Sequence, residues 1–383
     1  MNTRISKLFG FAIMVLVSTI VAQSVSPSFV TSLPDIIDES SGVELLDDGK
    51  LVSFNDSGGE NELYIFNDSG NLLRTIEIVN ATNIDWEEIA RDDDGWFYIG
   101  DFGNNSNNRT DLRIYAIPGP EDFIEDTISA EIINFTYEDQ YEFPPPSDMR
   151  NFDMEAMVSY GDSLYLFSKC RTDPFTGITK LYSLPKYAGD YEARLIDSIY
   201  TTTSSELAGQ VTAADISSVG EVFVMTYRRG YILSGYSGSN FMSGAAYEIS
   251  ISTLTQIEAC CFINPEELYI TDEIVTYMGI DFGGALSTVD IGDYLAIEEF
   301  AQRNRDKQIS AYPNPFEKKV KIENPKNLSI VIVDISGSIV TEFGDENSLS
   351  WKPDSRTKPG IYFACIKNST GKIERAIKLM YLD

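Results

Sequence analysis

Glu155-Ala-Met-Val-Ser-Tyr-Gly-Asp-Ser-Leu-Tyr-Leu-Phe-Ser-Lys169 reads as a strand, a tight turn at Gly161-Asp162, and a returning strand. Its apolar runs are strand-length, and the Gly-Asp pair supplies the turn chemistry between them. The frame recurs. Glu87 leads through Asp93-Asp94-Gly95 to Asp101, and Glu258 leads through Asn264-Pro265 to Asp272. Ser41 leads through Asp47-Asp48-Gly49 to Asn55, and Ala213 leads through Val219-Gly220 to Tyr227. Each frame spans 14 positions, and successive starts lie 46, 68, 58 and 45 residues apart.

Further strand-like runs follow each frame, at 62–66 and 72–79, 112–117, 179–184, and 231–233 with 246–251. A hairpin repeated at this period, with added strands, predicts an all-β protein built as a β-propeller of five or six blades. Six is the favoured count, the last blade being completed by 275–297 and a strand near Phe29 to Leu33. A long β-sandwich is the rival architecture, but no regular repeat follows from one.

A hairpin brings its ends together, so the first and fifteenth residues of each frame should share one mouth of the central channel. Asp, Asn and Gly are depleted in strands, so something other than packing selects several of these positions. The Asp-Asp-Gly runs are turn residues. Glu87, Glu155 and Glu258 have no turn chemistry to explain them. Asn55, Asp101 and Asp272 complete a candidate oxygen-ligand set with those three. Neighbouring Asp56, Asp85, Asp153, Thr212 and Glu273 add to the mouth. Carboxylates converging on an axis must protonate or share a cation. Hard oxygen donors point to Ca²⁺ first, with Mg²⁺ or Mn²⁺ second. Lys169 and Arg228 are candidate catalytic residues at the same mouth, placed to clamp an anionic oxygen. Ion pairing with neighbouring carboxylates is the plain alternative for both.

Composition narrows the chemistry. The 383 residues contain no His, which excludes Ser-His-Asp and Cys-His catalysis and the HExxH zinc site. Net charge is −30. From Lys307 onward there are 12 Lys/Arg against 9 Asp/Glu, leaving 17 against 50 in the rest. That surface excludes a nucleic-acid groove. Of the four Cys, Cys260 and Cys261 sit in an apolar run and read as buried thiols, and Cys170 and Cys365 fall in different domains.

The ends of the chain carry export signals. Residues 1–24 combine Arg4 and Lys7, the apolar run Leu8 to Ile20, and small or polar residues at Ala22 to Ser24. This predicts a cleavable signal peptide, with no membrane span once it is removed. The propeller is expected over 25–300, a polar linker over 301–310, and a small β-sandwich over 311–383.

The tail carries Tyr312-Pro-Asn-Pro-Phe316, Asp334 with Gly337, Gly360-Ile-Tyr362 and Lys378. In these it resembles the type IX secretion system C-terminal sorting domain. It departs from that pattern at its end, Met380-Tyr-Leu-Asp383. The resemblance implies partnership with the type IX machinery and a place outside a Gram-negative cell, released or surface-attached.

In the middle, Glu39-Ser-Ser-Gly42, Asn55-Asp-Ser-Gly58, Asp85-Trp-Glu-Glu88, Gly100-Asp-Phe-Gly-Asn-Asn105, Asp153-Met-Glu-Ala156 and Thr212-Ala-Ala-Asp215 are similar to pieces of calcium-associated propellers. These are the gluconolactonase-like, NHL-type and phytase-like proteins. That likeness implies an axial metal held by Glu, Asp and Asn from different blades. Two functions fit: a metal-dependent hydrolase of an ester, lactone or phosphoester, and a surface module binding a glycan or protein around a structural cation. Tyr141, Phe143 and Tyr236 are the aromatics such a module would offer.

Overall fold

The computed structural model describes residues 24–382 except 202–204, 254, 278–279, 293, 295–309, 314–315, 324–328, 335–338, 344–347, 355 and 368–372. The expected signal peptide, apart from Ser24, and the expected linker, apart from Ser310, lie outside the described residues. The chain divides into two compact units, one ending at Gly292 and one beginning at Asp293.

The first unit is a β-propeller. Each frame supplies the two inner strands of a four-stranded antiparallel blade. The first blade runs Ser40–Leu45, Leu51–Asn55, Glu62–Phe66 and Leu72–Ile78. The second runs Trp86–Arg91, Trp96–Asp101, Arg113–Pro118 and Glu131–Tyr137. The third runs Asp153–Tyr160, Ser163–Lys169, Ile178–Pro185 and Gly189–Tyr200. The fourth runs Val211–Ile216, Val222–Thr226, Arg229–Ser234 and Ala245–Ile251. The innermost strand of each blade packs on the innermost strands of both neighbours, and the fifth returns to the first.

A sixth blade does not form among the described residues. Ala285–Asp290 pairs with Glu267–Asp272, and the N-terminal Ser28–Ser32 pairs with Ala285–Asp290. The fifth blade therefore runs Ile257–Asn264, Glu267–Asp272, Ala285–Asp290 and Ser28–Ser32, its outermost strand coming from the N-terminal side. The unit is thereby closed by strands from both of its ends. Val275–Tyr277 and Ile280–Phe282 form a separate two-stranded ribbon. Outer edges are also covered: Glu131–Tyr137 pairs in parallel with Gly189–Tyr200, and Ser24–Val25 pairs with Ala245–Ile251. Paired edges leave fewer open hydrogen-bonding rows for another chain.

Apolar side chains fill the space between neighbouring blades. Trp86 is fully buried between the first two, edge-on to Phe54 at 5.4 Å between ring centroids. Its indole nitrogen donates to Thr82 O at 3.1 Å, so burial leaves no orphan donor. Truncating such a ring costs about 3–5 kcal/mol. Gly49 and Gly95 close the first two hairpins at φ 81° and 82°, backbone that a side chain would strain. Cys170, Cys260, Cys261 and Cys365 are all buried and free.

The second unit holds a three-stranded sheet, Ser310–Tyr312, Val320–Glu323 and Ser348–Trp351. A four-stranded sheet, Ile339–Phe343, Ser329–Asp334, Gly360–Lys367 and Ile373–Tyr381, completes it. Phe316, Val320, Ile330, Trp351, Tyr362 and Leu379 share one core. Phe316 and Tyr362 come from the two motifs that marked the tail in the sequence.

The channel is bridged by polar groups. Glu88 is fully buried, taking Ile89 N at 3.0 Å and, from the fourth blade, Ala214 N at 3.0 Å. Nearer the far mouth, Asp215 takes Ile216 N at 2.7 Å and Phe262 N at 2.6 Å. Burial nevertheless pushes Asp215 up to about 6. Burial, then Asp215, push Glu44 well above the usual carboxylate range. A carboxyl with a raised folded-state pKa binds its proton more tightly when folded. Its stabilisation is full below the unfolded pKa of about 4 and is lost as pH rises through the folded value. Glu44→Gln keeps an oxygen for the bond from Leu45 N, so it should gain thermal stability over the wild type at pH 7.5, with the gap closing at pH 4.5, as read by melting temperature across that range.

Candidate functional site

All five inner strands begin with a β-bulge. Pairing shifts register between Ser40 and Gly42, Trp86 and Glu88, Met154 and Ala156, Val211 and Ala213, and Ile257 and Ala259. The extra residues are Ser41, Glu87, Glu155, Thr212 and Glu258, all buried. A bulge re-aims the side chain it inserts. The repeat seen in the sequence is thus a repeat of bulges. In the fourth blade the equivalent residue is Thr212, one position before the Ala213 expected to start that frame. Ala213 and Tyr227 carry the right hairpin but the wrong phase.

Beside Glu87 lies an acidic trio. Carboxylate oxygens of Asp56, Asp85 and Glu87 fall within 4.8 Å of one another. Asp56 follows the second strand of the first blade, while Asp85 and Glu87 flank the start of the second. Asn83 locks these pieces together, donating to Asn55 O at 2.8 Å and Asp56 O at 2.9 Å. Gly103, in the Asp101-Phe-Gly-Asn-Asn105 loop, lies against the trio. A Cβ at Gly103 would stand 2.2 Å from Glu87 Oε1 and 2.5 Å from Asp85 Oδ2. Asn104 of the same loop donates its backbone N–H to Asp153 Oδ1 at 2.5 Å, reaching the third blade.

Burial, then Asp85, push Asp56 up to about 7, against a bond from Ser57 N–H. Burial, then Asp153, push Asp85 up to about 6. Burial, followed by Glu155, Asp56 and Asp85, raises Glu87 well above the ordinary range. Oxygen donors this close, this dry and this reluctant to ionise together are what a hard divalent cation relieves.

Two cations offset the remaining acids. Lys169 Nζ lies 2.9 Å from Glu155 Oε2, with both side chains buried. It also sits 5.0 Å from the ring centroid of Tyr227. Burial opposes the ammonium, but Glu155 and Glu258 outweigh it and hold Lys169 protonated, well above its usual value. Arg171 Nε lies 2.6 Å from Asp153 Oδ2, and its Nη2 lies 3.3 Å from Glu155 Oε1. Arg171 also bonds Asn105 Oδ1. Burial raises Glu155 against the pull of Lys169. Glu258 is raised by burial, with Lys169 opposing and Glu273 adding.

Glu87, Glu155, Glu258 and Lys169 therefore gather at one mouth. The other sequence candidates do not join them. Asn55 accepts from Glu39 N at 3.3 Å and donates to Ile36 O at 2.7 Å, so it braces its own loop. Asp101 Oδ1 is held by Arg109 Nη2 at 2.9 Å and Asp85 N at 3.2 Å. Asp272 Oδ1 accepts Ala285 N at 2.8 Å. The Arg228 guanidinium bonds Thr253 O. The physical reason is the bulge. It re-aims the first-strand residue of each hairpin, whereas Asn55, Asp101 and Asp272 at the end of the second strand bond groups close by in their own loops. Lys169 has the same register as Asp101 and Asp272, but its side chain is long enough to reach Glu155. The mouth's arginine is Arg171, two positions beyond the frame in Lys169-Cys-Arg171. That cationic pair following the hairpin was the available signal.

Residues 310–379 match the Secretion system C-terminal sorting domain family. The type IX tail inferred from Tyr312 to Phe316 and its companion motifs is that domain. The protein is an exported β-propeller protein, secreted or held at the cell surface, and its tail addresses it to the type IX secretion system. No curated protein matches the chain. Among solved structures, the chain is similar to a gluconolactonase from Xanthomonas campestris. Identity there is 10%, covering 70% of this chain and 87% of that one, at a TM-score of 0.39. It is also similar to a putative gluconolactonase, at 12% identity, 66% and 73% coverage, and a TM-score of 0.38. PorZ of Porphyromonas gingivalis, a surface component of the type IX system, matches at 13% identity and a TM-score of 0.32. That match covers 90% of this chain, which spans only 45% of PorZ. Among the described residues, no helix is long and apolar enough to cross a membrane.

Removing Lys169 strips the main counter-charge from a buried carboxylate. Lys169→Met should cost about 3–5 kcal/mol, the range for breaking a buried pair. Pairing it with Glu155→Gln should recover part of that loss. Urea unfolding of the two single variants and the double variant measures the coupling.

Proposed function

We propose that the channel mouth is a divalent-cation site held by Asp56, Asp85 and Glu87, and that the protein is an exported metal-dependent hydrolase of an ester, lactone or phosphoester. The observation that carries this reading is the trio itself, whose carboxylate oxygens lie within 4.8 Å of one another against Gly103. Ca²⁺ suits an all-oxygen donor set outside the cell, with Mg²⁺ or Mn²⁺ second. The cation would supply Lewis-acid polarisation of the substrate oxygen. The chain's own residues do the rest. Lys169 presents fixed positive charge beside the trio. Glu155, its carboxyl raised, can hold or release a proton at Oε1 or Oε2. Arg171 and Asn104 fix Asp153 and keep that wall of the mouth rigid.

One observation favours a second reading, a binding propeller with a structural cation. Lys169 and Arg171 are already engaged by Glu155 and Asp153, so the anion clamp expected of Lys169 and Arg228 is not free-standing. Tyr141 and Phe143 are exposed, whereas Tyr236 packs on Phe241 at 4.9 Å. A glycan or protein surface would use the first two.

Calcium at one hundred times its dissociation constant stabilises by about 2.7 kcal/mol, a rise of roughly 5 °C for a unit this size. The wild type should show that rise and lose it to a chelator. Glu87→Gln and Gly103→Ala should not show it. In a screen of lactone, carboxylester and phosphoester substrates, turnover should require calcium and vanish in Glu87→Gln. Calcium stabilisation without turnover on any substrate would select the binding reading. Absence of both would end the cation site.

A further inference from the structure

The channel has a second mouth, where the inner strands end, and it is lined by different chemistry. A cavity of about 760 Å³ opens there among the far ends of all five inner strands. Its walls include Glu44, Ser159, Tyr160, Asp215 and Phe262. Glu44 spends one oxygen on Leu45 N, at 2.9 Å. Asp215 accepts one backbone N–H on each oxygen, and every carboxylate oxygen has a second lone pair. Ser159 adds an independent mark: it is 7% exposed, lines the cavity, and its Oγ has no partner. A buried hydroxyl without a partner is costly to the fold, so a ligand that satisfies it gains affinity.

The cations nearby are committed elsewhere. Arg91 pairs with Asp47 at 2.8 Å, and Lys186 pairs with Asp92 at 2.7 Å. Glu44 and Asp215 have no ion-pair partner among the described contacts. Asp215 instead raises the proton affinity of Glu44, the sign of two acids on one wall. Nor do they form a metal cluster. Among the described residues, the carboxylate group close enough for that is Asp56, Asp85 and Glu87 at the other mouth. Two acids, a hydroxyl and two aromatic rings around one space match an organic cation better than a bare ion. An ammonium offers three N–H donors, for Glu44, Asp215 and Ser159, and aromatic residues in the same wall, Tyr160 and Phe262, suit an organic cation.

We propose that this second mouth binds a primary ammonium group, carried by a small alkyl amine or by a lysine side chain, with Glu44 and Asp215 as its counter-charges and Ser159 as its third acceptor. The site does not depend on a cation at the other mouth. The cavity's volume lies in the range of small-molecule pockets, which favours the free amine.

Calorimetric titration of the full chain tests this with three probes: 1,5-diaminopentane, a blocked lysine-containing tripeptide, and calcium chloride. At low salt, at least one of the two amines should bind with one-to-one saturation. Glu44→Gln and Asp215→Asn should each weaken that binding at least tenfold. Glu44→Gln keeps its bond from Leu45 N and Asp215→Asn keeps one of its two backbone bonds, and circular dichroism verifies that each variant is folded. Ser218→Trp, on the exposed rim of the cavity, should block entry without touching a ligand group. The tighter of the two amines identifies the source. The proposal fails if neither amine saturates, if the charge-removing variants bind as well as the wild type, or if calcium displaces the amine one for one.

Discussion

Desolvated carboxylate is the constraint around which this propeller is organised. Five bulges turn Ser41, Glu87, Glu155, Thr212 and Glu258 toward the channel. Three of the five are acids, and each is buried. An uncompensated buried charge costs several kcal/mol. Lys169 supplies the main internal answer. It contacts Glu155 directly and is held protonated by Glu155 and Glu258 together. Arg171 answers Asp153 and shares Glu155. Among the described residues Asp56, Asp85 and Glu87 have no such ion pair, and burial with repulsion between carboxylates raises their proton affinities.

The two ends of the channel solve the same problem differently. At one, three oxygens converge within coordination reach of one another. At the other, Glu44 and Asp215 are spaced around a cavity with a hydroxyl and aromatic rings. Glu88 lies between them, fully buried and tied to backbone N–H groups of two blades. Glu88 and Asp215 accept backbone N–H groups from strands of other blades, which ties their positions to the fold.

Much of this was readable before the structure. The hairpin frame was legible because strand alternation and turn residues are local signals, and its recurrence identified the propeller. Glu87, Glu155 and Glu258 stood out because glutamate has no reason of its own to begin a strand. Blade number was harder. The strand near Phe29 to Leu33 and the segment 275–297 were expected to finish a sixth blade, but Ser28–Ser32 and Ala285–Asp290 finish the fifth, because its own hairpin otherwise lacks two outer strands. The phase of the fourth frame slipped by one because Thr212 and Ala213 are both compatible with a strand start, and only the bulge distinguishes them. Asn55, Asp101 and Asp272 were grouped with the acids by hairpin register alone. Register places backbone, whereas the bulge decides which side chain turns inward. Arg171 lay just outside the repeat and so was not counted.

The central claim is that the bulged carboxylates meet a cation on the channel axis. A crystal structure of the propeller grown with Mn²⁺ in place of Ca²⁺, with data collected at the manganese absorption edge, addresses it without reference to any substrate. The account predicts one anomalous peak about 2.0–2.6 Å from oxygens of Asp56, Asp85 and Glu87. A map with no peak there, or with those three side chains turned outward to solvent, would contradict it.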